Sequence, residues 1–168
     1  MAEKDIVYSS VIKYKGVFLF SDFYDFCYDW IISEIDPNVF NEKNYVEKIN
    51  GNKKTIEIEW EADKKLTDYY KYQLKAKIKV SIEKNTEINQ DGRKIRVDNG
   101  EVKVAVKSAL IKDYQNRFEN AAFLKLWRSI YEKWITPSMV NEFEGKVVGD
   151  SEEFLSQVKA YLDLEGKR

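Results

Sequence analysis

The chain has 168 residues, with 28 lysines and arginines against 29 aspartates and glutamates, one cysteine and no histidine. This length predicts one domain over residues 1–168. The missing histidine excludes Ser–His–Asp and Cys–His catalysis and most zinc, iron and haem sites. The single cysteine excludes an internal disulfide or a multi-cysteine metal site. We expect no cofactor, no metal and no catalytic residue; any enzyme would need Asp, Glu, Lys or Tyr as its acid–base groups.

Two features concern location. The sequence contains no apolar run of 18 residues, which a membrane-spanning helix requires. Its start carries Glu3, Lys4 and Asp5, where a signal peptide has an apolar core. Together with the single cysteine, these features lead us to expect a cytoplasmic protein.

The first two predicted elements are a strand and a helix. Residues 6–20 are rich in Val, Ile, Tyr and Phe, and the alternation at Tyr8, Ser10, Ile12 and Tyr14 is typical of a strand. Ser21 is predicted to cap a helix that ends near Ile35, before Pro37. Apolar side chains cover more than half of this helix, so we expect a sheet to enclose it.

Antiparallel strands are predicted next. Glutamates alternate with apolar residues over 56–62, and the alternation of lysines with apolar residues is unbroken over 70–82. Turns are predicted at 90–92 and 98–100, and valines predict a further strand over 102–111.

Helices close the chain. Apolar residues at helical spacing predict a helix over 123–135 that Pro137 ends, and Asp150 with Glu153 predicts the capping box of a last helix. The predicted class is α+β: a curved antiparallel sheet of five to six strands, packed by one N-terminal helix and two to three C-terminal helices. This arrangement is similar to the helix grip of lipid-transfer-type domains, a likeness of topology that implies no function.

Positive charge is concentrated in the middle of the chain. Residues 63–133 have a net charge of +7, between −5 over residues 1–62 and −3 over residues 134–168. Most of these cations fall on one solvent-facing side of the predicted sheet, where they would attract a phosphate backbone. The predicted partner-binding residues are Lys71, Lys75, Lys77, Lys79, Lys103, Lys107, Arg93 and Arg96, with Lys94 beside the arginines. The alternative is an ordinary solvated face that the neighbouring glutamates partly neutralise.

Large aromatic residues suggest a second kind of site. The aromatic side chains predicted to line a cavity for an apolar ligand, between sheet and helix, are Trp60, Tyr72, Trp127 and Trp134. The alternative interpretation is that they pack in the core, where large aromatic side chains are common.

The predicted N-terminal helix carries two smaller features. Asp22, Asp25 and Asp29 share one face, where they would either bind a hard cation or form a solvent-facing stripe, and we favour the stripe. Cys27 lies on the apolar side, which predicts a buried structural thiol.

Five short blocks resemble a family of small archaeal proteins of unassigned function. They are Phe20-Ser21-Asp22-Phe23-Tyr24, Ile56-Glu57-Ile58-Glu59-Trp60, Asp68-Tyr69-Tyr70-Lys71-Tyr72, Phe123-Leu124-Lys125-Leu126-Trp127 and Leu164-Glu165-Gly166-Lys167-Arg168. The resemblance implies a prokaryotic cytoplasmic protein and transfers no active site.

Two functions are consistent with this sequence. The first is a non-catalytic interaction module that docks an anionic partner, RNA or a ribonucleoprotein, through the lysine-rich sheet face. The second is a carrier of an apolar small ligand held between sheet and helix. The segregation of charge favours the first function.

Overall fold

The structure is a computed structural model that describes residues 2–116 and 122–167. In chain order the strands and helices are β1 (Glu3–Phe18), α1 (Phe20–Trp30), β2 (Val39–Asn50), β3 (Lys53–Lys65), β4 (Tyr70–Gln90), β5 (Arg93–Lys112), α2 (Ala122–Ile130) and α3 (Thr136–Gly166). A π-helical turn extends α1 (Ile31–Ile35), and a second one joins α2 to α3 (Tyr131–Ile135). The predicted α+β class is confirmed.

The five strands form one curved antiparallel sheet in the order β1-β5-β4-β3-β2. Every neighbouring pair is antiparallel, so β1 and β2 are the two edges. No helix within the described ranges is long and apolar enough to cross a membrane.

Helices α1 and α3 pack on one face of this sheet. Phe23 and Cys27 of α1 and Phe154 of α3 are fully buried against the apolar side chains of β3, β4 and β5. The two helices also contact each other, because the rings of Phe26 and Tyr161 stack with their centroids 4.5 Å apart. α1 therefore packs on one face of the sheet beside α3, but the predicted enclosure is only partial, because Tyr28 and Ile32 on its predicted apolar side are 38% and 37% exposed.

The start of α1 differs from the prediction. Leu19 occupies the capping position, and no side chain of the helix caps it. The backbone N–H of Phe20 donates instead to Oδ2 of Asp98 on β5, at 3.0 Å. The predicted cap at Ser21 is wrong because the capping position lies two residues earlier, at Leu19, and a distant strand supplies the acceptor.

Residues 98–100 do not form the predicted turn. They lie inside β5, where Gly100 is opposite Ile82 of β4. A Cβ atom built on Gly100 would lie 1.8 Å from the carbonyl oxygen of Ser81. The glycine therefore permits a close approach of two strands, which in a sequence looks the same as a turn glycine.

The C-terminal helix is longer than predicted. Pro137 lies in the first turn of α3, where proline is tolerated because its missing N–H would have no helical partner. α3 then continues past Asp150, which pairs with Lys146 one turn earlier at 3.9 Å. The predicted bounds 123–135 match α2 with its π-helical turn, but Pro137 does not end the helical run, because α3 begins at Thr136. The predicted capping box at Asp150 is wrong.

A candidate anion-binding surface on the sheet

The solvent-facing side of the sheet pairs an acidic strand with a basic one. The carboxylates of β3 lie opposite or diagonal to the lysines of β4. The ion pairs along this seam are Glu57–Lys79 at 3.6 Å, Glu59–Lys77 at 3.1 Å, Glu61–Lys75 at 3.2 Å and Asp63–Lys71 at 3.0 Å. Four of the predicted partner-binding lysines are thus neutralised within the sheet, as the alternative interpretation expected.

Three lysines on the other half of this face have no such partner. Lys103 and Lys107 of β5 and Lys13 of β1 are exposed and form no ion pair with any residue that the structure describes. We call Lys13, Lys103 and Lys107 the free-lysine cluster. Sequence reasoning missed Lys13, because β1 was predicted as a strand without knowing that it pairs with β5.

Like charges face each other within this cluster. Lys13 is directly opposite Lys103, and Lys103 is directly opposite Lys79 on its other side. Directly opposite residues have Cβ atoms about 4.5–5.5 Å apart, and like charges at that spacing destabilise a sheet. A bound anion between these ammonium groups would remove the repulsion, so the arrangement favours an anionic partner.

Two small apolar residues lie between the lysines of the free-lysine cluster. Val11 and Ala105 face each other in the sheet row between Lys103 and Lys107. Beside them lies a shallow depression of about 230 Å³ that Lys77 and Lys103 help to line. This volume is below the roughly 300 Å³ at which small-molecule sites begin. The surface therefore suits a charged group on a larger partner better than an enclosed ligand.

The structure separates the predicted arginines from the lysines. Arg93, Lys94 and Arg96 lie where the β4–β5 hairpin extends beyond its neighbours, since β1 pairs with β5 only as far as Asp98. Arg93 and Lys103 are ten residues apart on one strand, or about 33 Å of extended chain. Arg96 also pairs with Glu87, at 3.8 Å. The predicted partner-binding set is therefore two surfaces, not one.

The four predicted cavity aromatics do not line one cavity. Trp60 and Tyr72 are buried in the core, where Nε1 of Trp60 donates to Oε2 of Glu42 at 2.8 Å and burial raises the pKa of Tyr72 to about 12. Trp127 and Trp134 lie outside, 50% and 75% exposed. The prediction is wrong because helical spacing shows that aromatic residues share a face but not that the face is turned inward.

An open cleft of about 800 Å³ lies elsewhere, between the start of α1 and the β2–β3 hairpin. Its lining residues are Phe20, Ser21, Ile49, Gly51, Asn52, Lys53, Lys54, Ile82, Glu83 and Asp98. They come from α1, from the β2–β3 hairpin and from the interior of β4 and β5, so no local sequence pattern marks them. β2 was not predicted as a strand, which hid the cleft further.

A cluster of polar side chains attaches α2 to the end of the sheet where β1 begins and β5 ends. The hydroxyl of Tyr69 donates to Oε1 of Glu132, which also accepts from Nε of Arg128 at 3.0 Å. Arg128 further contacts Glu3 at 3.5 Å and the buried Asp113 at 4.0 Å. Burial and the hydrogen bond to Glu132 raise the pKa of Tyr69. Burial alone would raise the pKa of Glu132, but its hydrogen bonds with Tyr69 and Arg128 outweigh burial and lower it. The groups satisfy each other, which is typical of a structural anchor.

The remaining candidates on α1 are three aspartates and one cysteine. Asp22, Asp25 and Asp29 are exposed. Among residues 2–116 and 122–167, no group of three or more His, Cys, Asp or Glu residues is placed to hold a metal ion. Cys27 is fully buried, as predicted, and burial raises the pKa of its thiol far above the ordinary value.

Comparison with known proteins adds little. No model of a protein family matches the chain, and no curated protein matches it in sequence. The chain is similar to the solved structure of an uncharacterized protein from Rhizobium leguminosarum, with 4% identity over 97% of this chain and 98% of that one. The TM-score of 0.23 is too low to carry information on fold or function.

Proposed function

We propose that this protein is a non-catalytic interaction module that docks an anionic partner on its free-lysine cluster, with RNA or a ribonucleoprotein as the leading case. The observation that supports the proposal is the direct opposition of Lys13 and Lys103, neither of which forms an ion pair with a residue that the structure describes. β3 shows that this same sheet can neutralise its lysines by pairing them. The free-lysine cluster lacks that pairing, which is expected of a surface that receives its anions from a partner.

The chemistry of this surface favours contact with phosphates over reading of bases. Lysine ammonium groups are point charges that bind phosphate oxygens without regard to sequence. The sheet row between them holds Val11 and Ala105, whereas base stacking needs exposed aromatic rings. We therefore propose binding that is independent of sequence and steeply dependent on salt.

A triple variant tests this proposal. Wild type and K13Q/K103Q/K107Q are titrated against a labelled mixed-sequence single-stranded RNA, by fluorescence anisotropy, over a range of salt concentrations. We expect wild type to bind at low salt. Removing three phosphate contacts should lower the slope of log affinity against log salt by about 2, at roughly 0.7 per contact for a single strand.

The matched control removes the same charge elsewhere. K146Q/K159Q/K167Q changes three exposed lysines on or next to α3, which covers the opposite face of the sheet. This control should bind RNA with nearly the wild-type slope. The proposal is wrong if wild type does not bind RNA at low salt, or if the two triple variants lose affinity equally.

We also propose that the protein is cytoplasmic and belongs to the archaeal family that its sequence resembles. The buried free thiol of Cys27 is typical of proteins from a reducing compartment. The family assignment rests on the five sequence blocks alone.

A second candidate function is supported by the open cleft. Its volume of about 800 Å³ lies within the range of small-molecule sites, and Phe20, Ile49 and Ile82 give it an apolar part. We propose as the alternative that it holds an apolar small ligand. Native mass spectrometry of protein taken directly from cells should then show a copurifying ligand that I49R, at an exposed position, loses. Wild type without any ligand mass would exclude this alternative.

A further inference from the structure

Helix α2 and the π-helical turn after it are attached to the domain by their polar side. Arg128 and Glu132 point towards the sheet end, where they contact Glu3, Asp113 and Tyr69. Amphipathic helices ordinarily bury the opposite, apolar side. This segment therefore leaves its apolar side without cover from any residue that the structure describes.

The uncovered side is large and aromatic. Its exposed side chains are Phe123, Leu126, Trp127, Ile130 and Trp134. Their spacing of three, four, seven and eleven residues from Phe123 places them along one stripe, and the rings of Phe123 and Trp127 touch with centroids 6.2 Å apart. We call this set the aromatic stripe. Exposed apolar patches of this kind mark interaction sites.

The charges that border the aromatic stripe indicate which class of partner it would bind. Residues 122–135 contain three cations, Lys125, Arg128 and Lys133, against Glu132 alone. Lys125 and Lys133 are exposed, whereas Glu132 is bound to Tyr69 and Arg128. Neither lysine forms an ion pair with a described residue, although Nζ of Lys133 lies 6.0 Å from the centroid of the Trp134 ring. The stripe is thus edged by cations that no described carboxylate neutralises, which are complementary to an anionic surface.

The same charges argue against a second copy of this chain. Two stripes packed antiparallel about Ser129 would bring Lys125 of one copy towards Lys133 of the other. Two stripes packed parallel would bring each lysine towards its own equivalent. Both arrangements place like charges at the edges of an apolar interface, which costs affinity.

The tryptophans favour a lipid surface over an acidic protein. Neither Trp127 nor Trp134 donates an indole N–H hydrogen bond to a residue that the structure describes. Such rings, with an apolar body and a free donor, are enriched at the boundary between membrane and water. A helix with Trp, Phe and Leu on one side and Lys and Arg on the other typically lies in the plane of that boundary.

We propose that the aromatic stripe docks this protein on an anionic lipid surface, with residues 122–135 lying flat at the level of the headgroups. These 14 residues span about 21 Å, enough for several turns along a surface. The surface is independent of the free-lysine cluster, so the two proposals stand or fall separately.

The experiment compares wild type with two matched variants. L126D places a charge in the centre of the aromatic stripe, and L164D places one at an equally open position on α3, since the two leucines are 61% and 67% exposed. The probe is vesicles of phosphatidylcholine with phosphatidylglycerol in equal parts, followed by cosedimentation and by tryptophan fluorescence. Vesicles of phosphatidylcholine alone test the charge requirement.

We expect wild type and L164D to bind the anionic vesicles with a blue shift of tryptophan emission. L126D should lose about tenfold or more in affinity, as withdrawal of one leucine from an apolar phase predicts, and K125Q/K133Q should bind more weakly than wild type. Three results would overturn the proposal: no vesicle binding by wild type, equal binding by L126D, or concentration-dependent dimers that L126D abolishes. Loss of vesicle binding in K13Q/K103Q/K107Q but not in L126D would assign the membrane contact to the sheet instead.

Discussion

Lys13 on β1 and Lys103 on β5 stand directly opposite each other, and neither has a carboxylate partner among the described residues. On β4, the strand next to β5, each lysine that lies opposite a β3 glutamate pairs with it. One sheet face therefore combines a neutralised seam with the free-lysine cluster. The opposed lysines of that cluster are a local cost in stability, and this cost is expected where a surface is kept for a charged partner.

The first prediction separates stability from binding at this position. In K103E the new carboxylate lies opposite Lys13, so this repulsive contact becomes attractive, whereas Lys79 on its other side is already paired with Glu57. Opposite-charge pairs across strands contribute roughly 0.2–1 kcal/mol each, and we expect the free energy of unfolding to rise by about 0.5–1 kcal/mol. RNA affinity should fall in the same variant. Urea unfolding at low salt measures the first effect.

K103Q is the control for this prediction. It removes the repulsion without adding an attraction, so its stability should lie between wild type and K103E. The gain in K103E should shrink at high salt, because exposed charges are screened. A K103E variant less stable than K103Q would show that the opposed lysines carry no strain.

Much of the fold could be predicted from side-chain periodicity. The uninterrupted alternation over 70–82 predicted the start of β4 at Tyr70 and the side that faces solvent, although the strand continues to Gln90. β2 was missed because nearly all of its side chains are exposed, so no buried face imposes an alternation on the sequence. Edge strands are commonly charged on both sides, which prevents aggregation and also hides them from sequence reasoning.

The second prediction concerns Gly100, the glycine that was mistaken for a turn. A Cβ atom at this position would lie 1.8 Å from the Ser81 carbonyl oxygen, and backbone cannot rotate away as a side chain can. G100A should therefore lower the free energy of unfolding by about 1–3 kcal/mol, the usual cost of overpacking. Thermal or urea unfolding measures the loss.

Gly145 provides the opposite case on the same chain. It lies within α3, and a Cβ atom added to it would have no neighbouring atom within 4 Å, so alanine fits without a clash. G145A should raise the free energy of unfolding by about 0.5–1 kcal/mol, because alanine loses less backbone entropy in a helix. If G100A is as stable as the wild type or more stable, the close contact between Gly100 and Ser81 is not as described.

Side-chain periodicity alone did not predict the candidate sites. The register between β3 and β4 decides which lysines are neutralised, and a single sequence does not show that register. Trp127 and Trp134 share a helical face, as their spacing indicates, yet the polar contacts of Arg128 turn that face outward. Pairing partners and orientation are tertiary properties, so they required the structure.

The third prediction tests the cap that β5 provides for α1. D98A removes the acceptor for the Phe20 N–H and should lower the free energy of unfolding by about 1 kcal/mol. D98N keeps an oxygen acceptor and loses only the charge near the helix start, so it should cost less than D98A. Equal losses in the two variants, measured by urea unfolding, would mean that the hydrogen bond itself contributes nothing.

The fourth prediction is a fall in stability at alkaline pH. Burial, with a hydrogen bond to Glu42, raises the pKa of Tyr24 to about 12, and burial, with a hydrogen bond to Glu47, does the same for Tyr45. In the unfolded chain both hydroxyls should titrate near pH 10. Between these values the folded state retains protons that the unfolded state releases, so stability is full below about pH 10 and is lost as pH rises towards 12.

Urea midpoints measured from about pH 9 to pH 11 should show this decline. The variant Y24F/Y45F removes both hydroxyls and should show a shallower decline, because two of the retained protons are gone. The slope should not vanish, since burial also raises the pKa of Tyr72 to about 12. If the decline is equally steep in the double variant, the hydrogen bonds to Glu42 and Glu47 do not hold these protons, and other groups must account for the loss.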